Sequence, residues 1–120
     1  IAFVSPDNFD DNVNIQVMQI DADRLSDSEV EETIGELDKI YPQNYTDFRK
    51  IASGAVTVDG ARGLEYAFSS KRLDTVLYQK IVIFVKSGRA FTITFTAVND
   101  HFEKMEKDNF RPVLENFKVQ

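Results

Sequence analysis

Residues 76–98 read VLYQKIVIFVKSGRAFTITFTAV, and how this stretch folds back on itself decides the architecture. Ser87-Gly88 is a two-residue turn signal between two apolar runs, the pattern of a β-hairpin. Such a loop sets Lys86 opposite Arg89, so Val85 pairs with Ala90, Phe84 with Phe91, Val82 with Ile93 and Lys80 with Phe95. Successive side chains point to opposite sides of a strand. One face therefore carries Val82, Phe84, Phe91, Ile93, Phe95 and Ala97. The other carries Ile81, Ile83, Val85 and Ala90 with Thr92, Thr94 and Thr96. Both faces are substantially apolar, so the sheet needs a covering layer on each side. The expectation is an α+β protein: an antiparallel sheet of about six strands with helices on both faces.

The flanking sequence supplies the other strands and the layers. FRKIASGAVTV (residues 48–58) reads as a strand, Asp59-Gly60 as a turn and LEYAFSS (residues 64–70) as its partner. Gly54 marks a bulge or a close backbone approach. KRLD (residues 71–74) reads as a polar loop. Towards the N-terminus, IAFV (residues 1–4) and the alternating NVNIQVMQID (residues 12–21) form a hairpin around SPDNFDDN (residues 5–12). LSDSEVEETIGELDKIY (residues 25–41) is the clearest helix. Ser26 and Glu29 form a capping box, and Leu25 and Val30 are placed for a hydrophobic staple. Val30, Ile34, Leu37 and Tyr41 share one face, and Pro42 is expected to end the helix. The C-terminal residues suggest a short helix from about Asn99, a break near Asp108-Asn109, a helical turn through Pro112 and Leu114, and a closing strand from Phe117. Phe102, Met105 and Phe110 would face inward.

Composition narrows the function classes. The chain has 120 residues, enough for one domain over residues 1–120. Its net charge is −6 and no basic stripe is present, which argues against nucleic acid as a partner. It has no cysteine, which excludes disulfides, thiol catalysis and thiolate metal sites. No apolar run approaches the ~20 residues of a transmembrane helix. The chain starts at Ile1 inside a strand-like run, so the expectation is a domain excised from a longer protein, with any export signal cut away.

The order of elements resembles the PsbP, Mog1 and DcrB group. The carrying stretches are NVNIQV, the helix around EVEETIGEL, GLEYAF, GRAFTITFTAV and HFEKMEKDNFRPVLENFKV. The resemblance implies an α/β/α sandwich. Members of the group usually begin with a further hairpin bearing Gly-Phe and Tyr-Pro-x-x-Trp stretches. Neither occurs here, so an N-terminal hairpin is expected to be missing. PsbP-like members are lumenal subunits of photosystem II that help retain calcium and chloride. Mog1-like members bind a Ran GTPase, and DcrB-like members are periplasmic or surface lipoproteins. The theme implied is a non-enzymatic interaction or accessory domain of an exported or surface-anchored protein, in an extracytoplasmic compartment. Its binding surface would be an exposed sheet edge or loop, and its partner a protein.

A second reading is a metal-ion or small-ligand module. Asp7, Asp10 and Asp11, with Asn8 and Asn12, offer oxygens of the kind Ca²⁺ takes. Phe9 and Asn12 break the EF-hand order, however, and Asp and Asn also serve as plain turn formers. His101, beside Asp100 and near Glu103, could contribute to a Zn²⁺ site. One His with carboxylates is a thin ligand set, and Asn99 and Asp100 also suit helix capping. Thr92, Thr94 and Thr96 could line a groove or simply serve as strand formers. For catalysis, Glu65 and Lys80 are the charged strand residues that could face a cleft, but no nucleophile motif or phosphate loop accompanies them. No catalytic residue and no cofactor is therefore assigned.

Overall fold

A computed structural model of the chain describes residues 2–5, 8–19, 24–98 and 111–117, the first of these to residue 15 as backbone. Six strands form one antiparallel sheet: β1 (Ala2–Ser5), β2 (Asn8–Gln19), β3 (Arg49–Val58), β4 (Ala61–Arg72), β5 (Thr75–Lys86) and β6 (Arg89–Val98). The spatial order is β1-β2-β6-β5-β4-β3. Two helices are described, α1 (Asp27–Asn44) and α2 (Arg111–Asn116). The chain thus builds a hairpin, crosses to the far edge through α1, and returns by a four-stranded meander that sets β6 beside β2.

The central hairpin has the register its turn dictates. Lys86 pairs with Arg89, Phe84 with Phe91, Val82 with Ile93 and Lys80 with Phe95. Ser87 and Gly88 both have positive φ, as do Asp59 and Gly60 in the β3–β4 turn. That is the type I′ geometry whose twist suits two-residue hairpins. The third tight turn differs from expectation. Lys71 and Arg72 continue β4, and only Leu73-Asp74 form the turn, because strand pairing persists to Arg72–Thr75. Leu73 sits there 90 % exposed with φ 56°. A bulky residue in the left-handed region is strained by about 1 kcal/mol. Leu73→Asn should stabilise the protein by about 0.5–1 kcal/mol, read as a rise in the urea midpoint at constant slope.

Each face of the sheet has its own core. On one side α1 lays Val30 against Leu64, Tyr66, Phe68 and Ile81, all buried, with Leu25, Ile34, Leu37, Tyr41, Tyr45, Phe48 and Ile83 around them. On the other side Val58, Val82, Phe84, Phe91, Ile93, Phe95 and Ala97 are buried, and Val113, Leu114 and Phe117 pack against them. Phe84 and Phe91 stack at 4.8 Å, and Phe117 meets both rings edge-on. The layers are therefore α/β/α.

Both halves of the capping box are made. The Glu29 amide donates to the Ser26 hydroxyl at 3.2 Å, and the Ser26 amide donates to the Glu29 carboxylate at 3.3 Å. Leu25 joins Val30 in the same apolar cluster, as the staple requires. The helix does not stop before Pro42, however, but runs on to Asn44 with Pro42 inside it. A proline this close to the end deletes a single backbone bond. The ladder resumes beyond it, with the Tyr45 amide donating to the Tyr41 carbonyl at 3.1 Å. Tyr41 and Tyr45 both pack on the Phe68 ring, which holds the extra turn in place.

Two terminal expectations change. The acidic stretch is mostly strand rather than turn: β2 begins at Asn8. Val4 pairs with Asn12 and Ser5 with Asn8, so Phe9, Asp10 and Asp11 are taken up in a register shift. At the other end Phe117, where a closing strand is expected to begin, is itself not in a strand and serves as a core ring, and the rest of that expected strand lies outside the described residues. The helix expected from Asn99, with Phe102, Met105 and Phe110, lies outside the described residues.

Candidate functional site

With a helix on each face, the strands that end the described sheet are β1 and β3. The β3 edge is described with its side chains. Its hydrogen-bonding direction follows from the turn beside it. In a two-residue I′ hairpin the residues flanking the turn exchange both backbone bonds. Val58 and Ala61 are that pair, and Val56–Gly63 and Gly54–Glu65 follow at the same phase. Thr57, Ala55 and Ser53 lie between them, so their amides and carbonyls point away from β4. Among the described residues nothing meets these groups. Ala55 and Thr57 are exposed and Ser53 half-buried.

The edge is guarded at one end only. Arg49 and Lys50 are exposed, and Ile51 is an extra residue in a bulge between Lys50 and Ala52. Basic residues and bulges are common protections of a strand edge. From Ile51 to Val58 the sequence IASGAVTV contains neither a charge nor a proline. That span has the composition of a strand able to accept another strand. The other exposed apolar residues do not form a patch: Val17 and Met18 point to opposite faces of β2, Ile40 lies on α1 and Leu73 in a turn. Singly scattered exposed apolar residues are ordinary.

Lys50 is tied into a small polar network beneath α1. Its ammonium lies 3.0 Å from the Asp38 carboxylate. The Tyr66 hydroxyl donates to the same carboxylate at 2.6 Å. The Tyr66 hydroxyl, and then Lys50, hold the Asp38 carboxyl below its ordinary value. Burial, and then the bond to Asp38, push the Tyr66 hydroxyl well above the tyrosine range. Burial, followed by neighbouring Tyr45, pushes Tyr41 to about 12. These signs fix the pH response. The lowered Asp38 contributes stability that is present above the unfolded value of 3.8 and lost as pH falls through its lower folded value. The raised tyrosines contribute stability that is present below 10.0 and lost as pH rises above it. Asp38→Ala leaves the fully buried Tyr66 hydroxyl without its acceptor and should cost about 2 kcal/mol at neutral pH, against about 1 for Tyr66→Phe. The Asp38→Ala deficit should shrink in urea melts taken below pH 3.8.

Glu65 and Lys80 meet as an ion pair at 3.3 Å on the sheet face, with Lys80 nearly buried. The register puts them on neighbouring strands beside Ala67 and Val82. Thr96 is buried and takes a bond from the Gln79 side chain at 3.3 Å, while Thr92 and Thr94 are half-buried. The described residues line two cavities at the ends of the meander. One, of about 510 Å³, lies beside the start of α1 between Arg24, Asp27, Arg62 and Lys86. Its charges are engaged: Arg62 with Asp27 at 2.8 Å and Lys86 with Asp59 at 3.1 Å. The other, of about 520 Å³, lies between Asp47, Arg49, Ser69, Lys71 and Tyr78. Asp38, Tyr41 and Tyr66, whose titration is displaced, lie in neither.

Of the metal-ligand candidates, Asp10 and Asp11 lie in the register shift of β2, described as backbone. Asp7 and His101 lie outside the described residues. Among the described residues no group of three or more His, Asp and Glu side chains is gathered to hold a metal. No described helix is long and apolar enough to cross a membrane.

The sequence matches no protein-family model and no curated protein. Solved structures do match. A protein of unknown function from Pseudomonas aeruginosa, PA94, a putative regulator by its own description, superposes with a TM-score of 0.66 at 10 % identity. The match covers 89 % of this chain and 83 % of that one. Cyanobacterial PsbP (CyanoP) from Synechocystis sp. PCC 6803 gives 0.63 at 13 % identity, over 94 % of this chain and 69 % of its own. LpqN, involved in cell envelope biogenesis of Mycobacterium tuberculosis, gives 0.52 at 19 % identity, over 97 % and 67 %. An antiparallel sheet between two helical layers, in this strand order and superposing on these structures, is the PsbP/Mog1-like fold.

Proposed function

We propose that this chain is a non-enzymatic interaction or accessory domain of an exported or surface-anchored protein, and that it takes a protein strand along the open edge of β3. The observation that carries this reading is geometric. Both faces of the central strands β4, β5 and β6 are covered by the chain's own apolar side chains, while Ser53, Ala55 and Thr57 aim backbone donors and acceptors away from β4. A strand added there would gain main-chain hydrogen bonds without displacing any part of the described fold. The envelope assignment draws support from the likeness to LpqN and to cyanobacterial PsbP.

The test is a photo-crosslinking residue at Thr57 in the full-length protein, in its native cell, after fractionation. A discrete protein adduct in an extracytoplasmic fraction is expected. It should disappear with Ala55→Pro, which removes one outward amide at an edge position that tolerates proline. The same crosslinker at Glu32, exposed on α1, should give no adduct. Equal adducts at both positions, or an adduct that survives Ala55→Pro, would overturn the edge as the binding surface. A cytoplasmic location would overturn the exported placement.

A further inference from the structure

Ser69 is 8 % exposed, and its hydroxyl makes no hydrogen bond among the described residues. A buried hydroxyl left without a partner costs free energy, and a bound ion or water is the usual explanation for one. Ser69 also lines the cavity of about 520 Å³ at the Asp47 end of the meander. From its surroundings we infer that this cavity is a binding site for a phosphate group, separate from the outward groups of Ser53, Ala55 and Thr57.

The strands bring two cations to the same place. Alternation along β4 puts Ser69 and Lys71 on one face. The register sets Arg49 of β3 and Tyr78 of β5 opposite Ser69, and Val76 opposite Lys71. All five line the cavity together with Asp47. Opposed residues have Cβ atoms about 5 Å apart, and Lys71 lies about 7 Å along its own strand from Ser69. A guanidinium fork, an ammonium and a hydroxyl can therefore reach one group between them. Neither Arg49 nor Lys71 is in an ion pair among the described residues. Arg62 and Lys86 of the other cavity, by contrast, are both held by carboxylates. The walls are fixed in advance. Arg49 is paired to β4, and the Lys71 amide donates to the Thr46 carbonyl at 2.8 Å, which ties down the segment before it. Walls built on paired strands need little ordering when a ligand binds.

Water alone would satisfy the hydroxyl but would leave both cations uncompensated. Donors on three separate side chains suit the three terminal oxygens of a phosphate group better than the two of a carboxylate. The cavity is of the size that takes a whole small ligand, so there is room for the organic part of an ester. Asp47 is the one carboxylate among the described lining residues. It opposes a bare dianion and can accept a hydroxyl from that organic part. A soluble phosphate ester and a lipid headgroup offer the same chemistry.

The test is a titration of the full-length protein with inorganic phosphate at constant ionic strength, followed by backbone amide NMR. Saturable shifts centred on Arg49, Ser69 and Lys71 are expected, with acetate at least about tenfold weaker. Ser69→Ala should weaken phosphate about tenfold, the weight of one hydrogen bond to a charged group. It should leave the melting temperature of the phosphate-free protein unchanged or higher, which a merely structural serine would not. Lys71→Ala should also weaken binding, and Asp47→Asn should strengthen it. Glycerol phosphate binding without binding to phosphatidic acid vesicles assigns the site to a soluble ester. Vesicle binding that is lost in Ser69→Ala assigns it to a headgroup. No saturable shift at these residues in tens of millimolar phosphate, an equal response to acetate, or phosphate affinity unchanged in folded Ser69→Ala would overturn the site.

Discussion

Phe68→Ala is expected to remove about 3–5 kcal/mol of stability, close to the whole margin of an ordinary domain of this size. Phe68 has no exposed surface. Its ring lies 5.1 Å from Tyr41, 4.8 Å from Tyr45, 5.3 Å from Phe48 and 6.2 Å from Tyr66. Three of those rings come from the end of α1 and the segment after it, so Phe68 is what fastens the helix end to the sheet. Alanine would leave a cavity that the stiff sheet cannot close and would free the last helical turn beyond Pro42. The expected readout is a melting temperature lower by roughly 15 °C or more, with the urea midpoint lowered. Phe68→Leu keeps most of the volume and should cost clearly less. A loss under about 1 kcal/mol for Phe68→Ala would mean that α1 is not held by this cluster.

Gly63→Ala is the second large effect, and its cause is the opposite one. Gly63 lies on β4 opposite Phe84. A Cβ built there falls against the Ile83 carbonyl oxygen and 2.7 Å from the Phe84 Cβ. Both neighbours are fixed in the adjacent strand, and Phe84 is locked in its stack with Phe91. The strands must separate locally to admit one methyl group, which should cost about 2–3 kcal/mol. Gly63→Val should cost more. Gly54→Ala is the matched control on the next strand and the same face. It meets open space among the described residues and should change stability by less than about 0.5 kcal/mol. Equal costs at the two glycines in urea melts would contradict this account.

The sequence was most legible where the chemistry is local. Ser87-Gly88 and the alternation on either side of it sufficed to place Phe84 opposite Phe91 and to demand two helical layers. Ser26 and Glu29 announced the start of α1. The end of α1 was not legible, because Pro42 argues locally for a stop while Tyr41 and Tyr45 are held by Phe68 from a distant strand. SPDNFDDN looked like a turn for the same reason: Asp and Asn are turn formers by propensity, and pairing of Asn8 and Asn12 with β1 draws the stretch into β2 all the same. Lys71 and Arg72 looked like loop for want of apolar neighbours, yet pairing with β5 keeps them in the ladder. The candidate site was the least legible part. Which strand ends at an edge depends on the order in space, which no local pattern encodes. The visible trace was the uncharged run from Ile51 to Val58.

The most direct measurement is residue-resolved amide exchange along β3. In the free protein the Ser53, Ala55 and Thr57 amides should exchange rapidly while Gly54, Val56 and Val58, bonded to β4, stay protected. When the protein captured by the Thr57 crosslink is added, the three fast amides should slow and the alternation should fade. Protection of Ser53, Ala55 and Thr57 already in the free protein would show that the chain closes its own edge and would contradict the account.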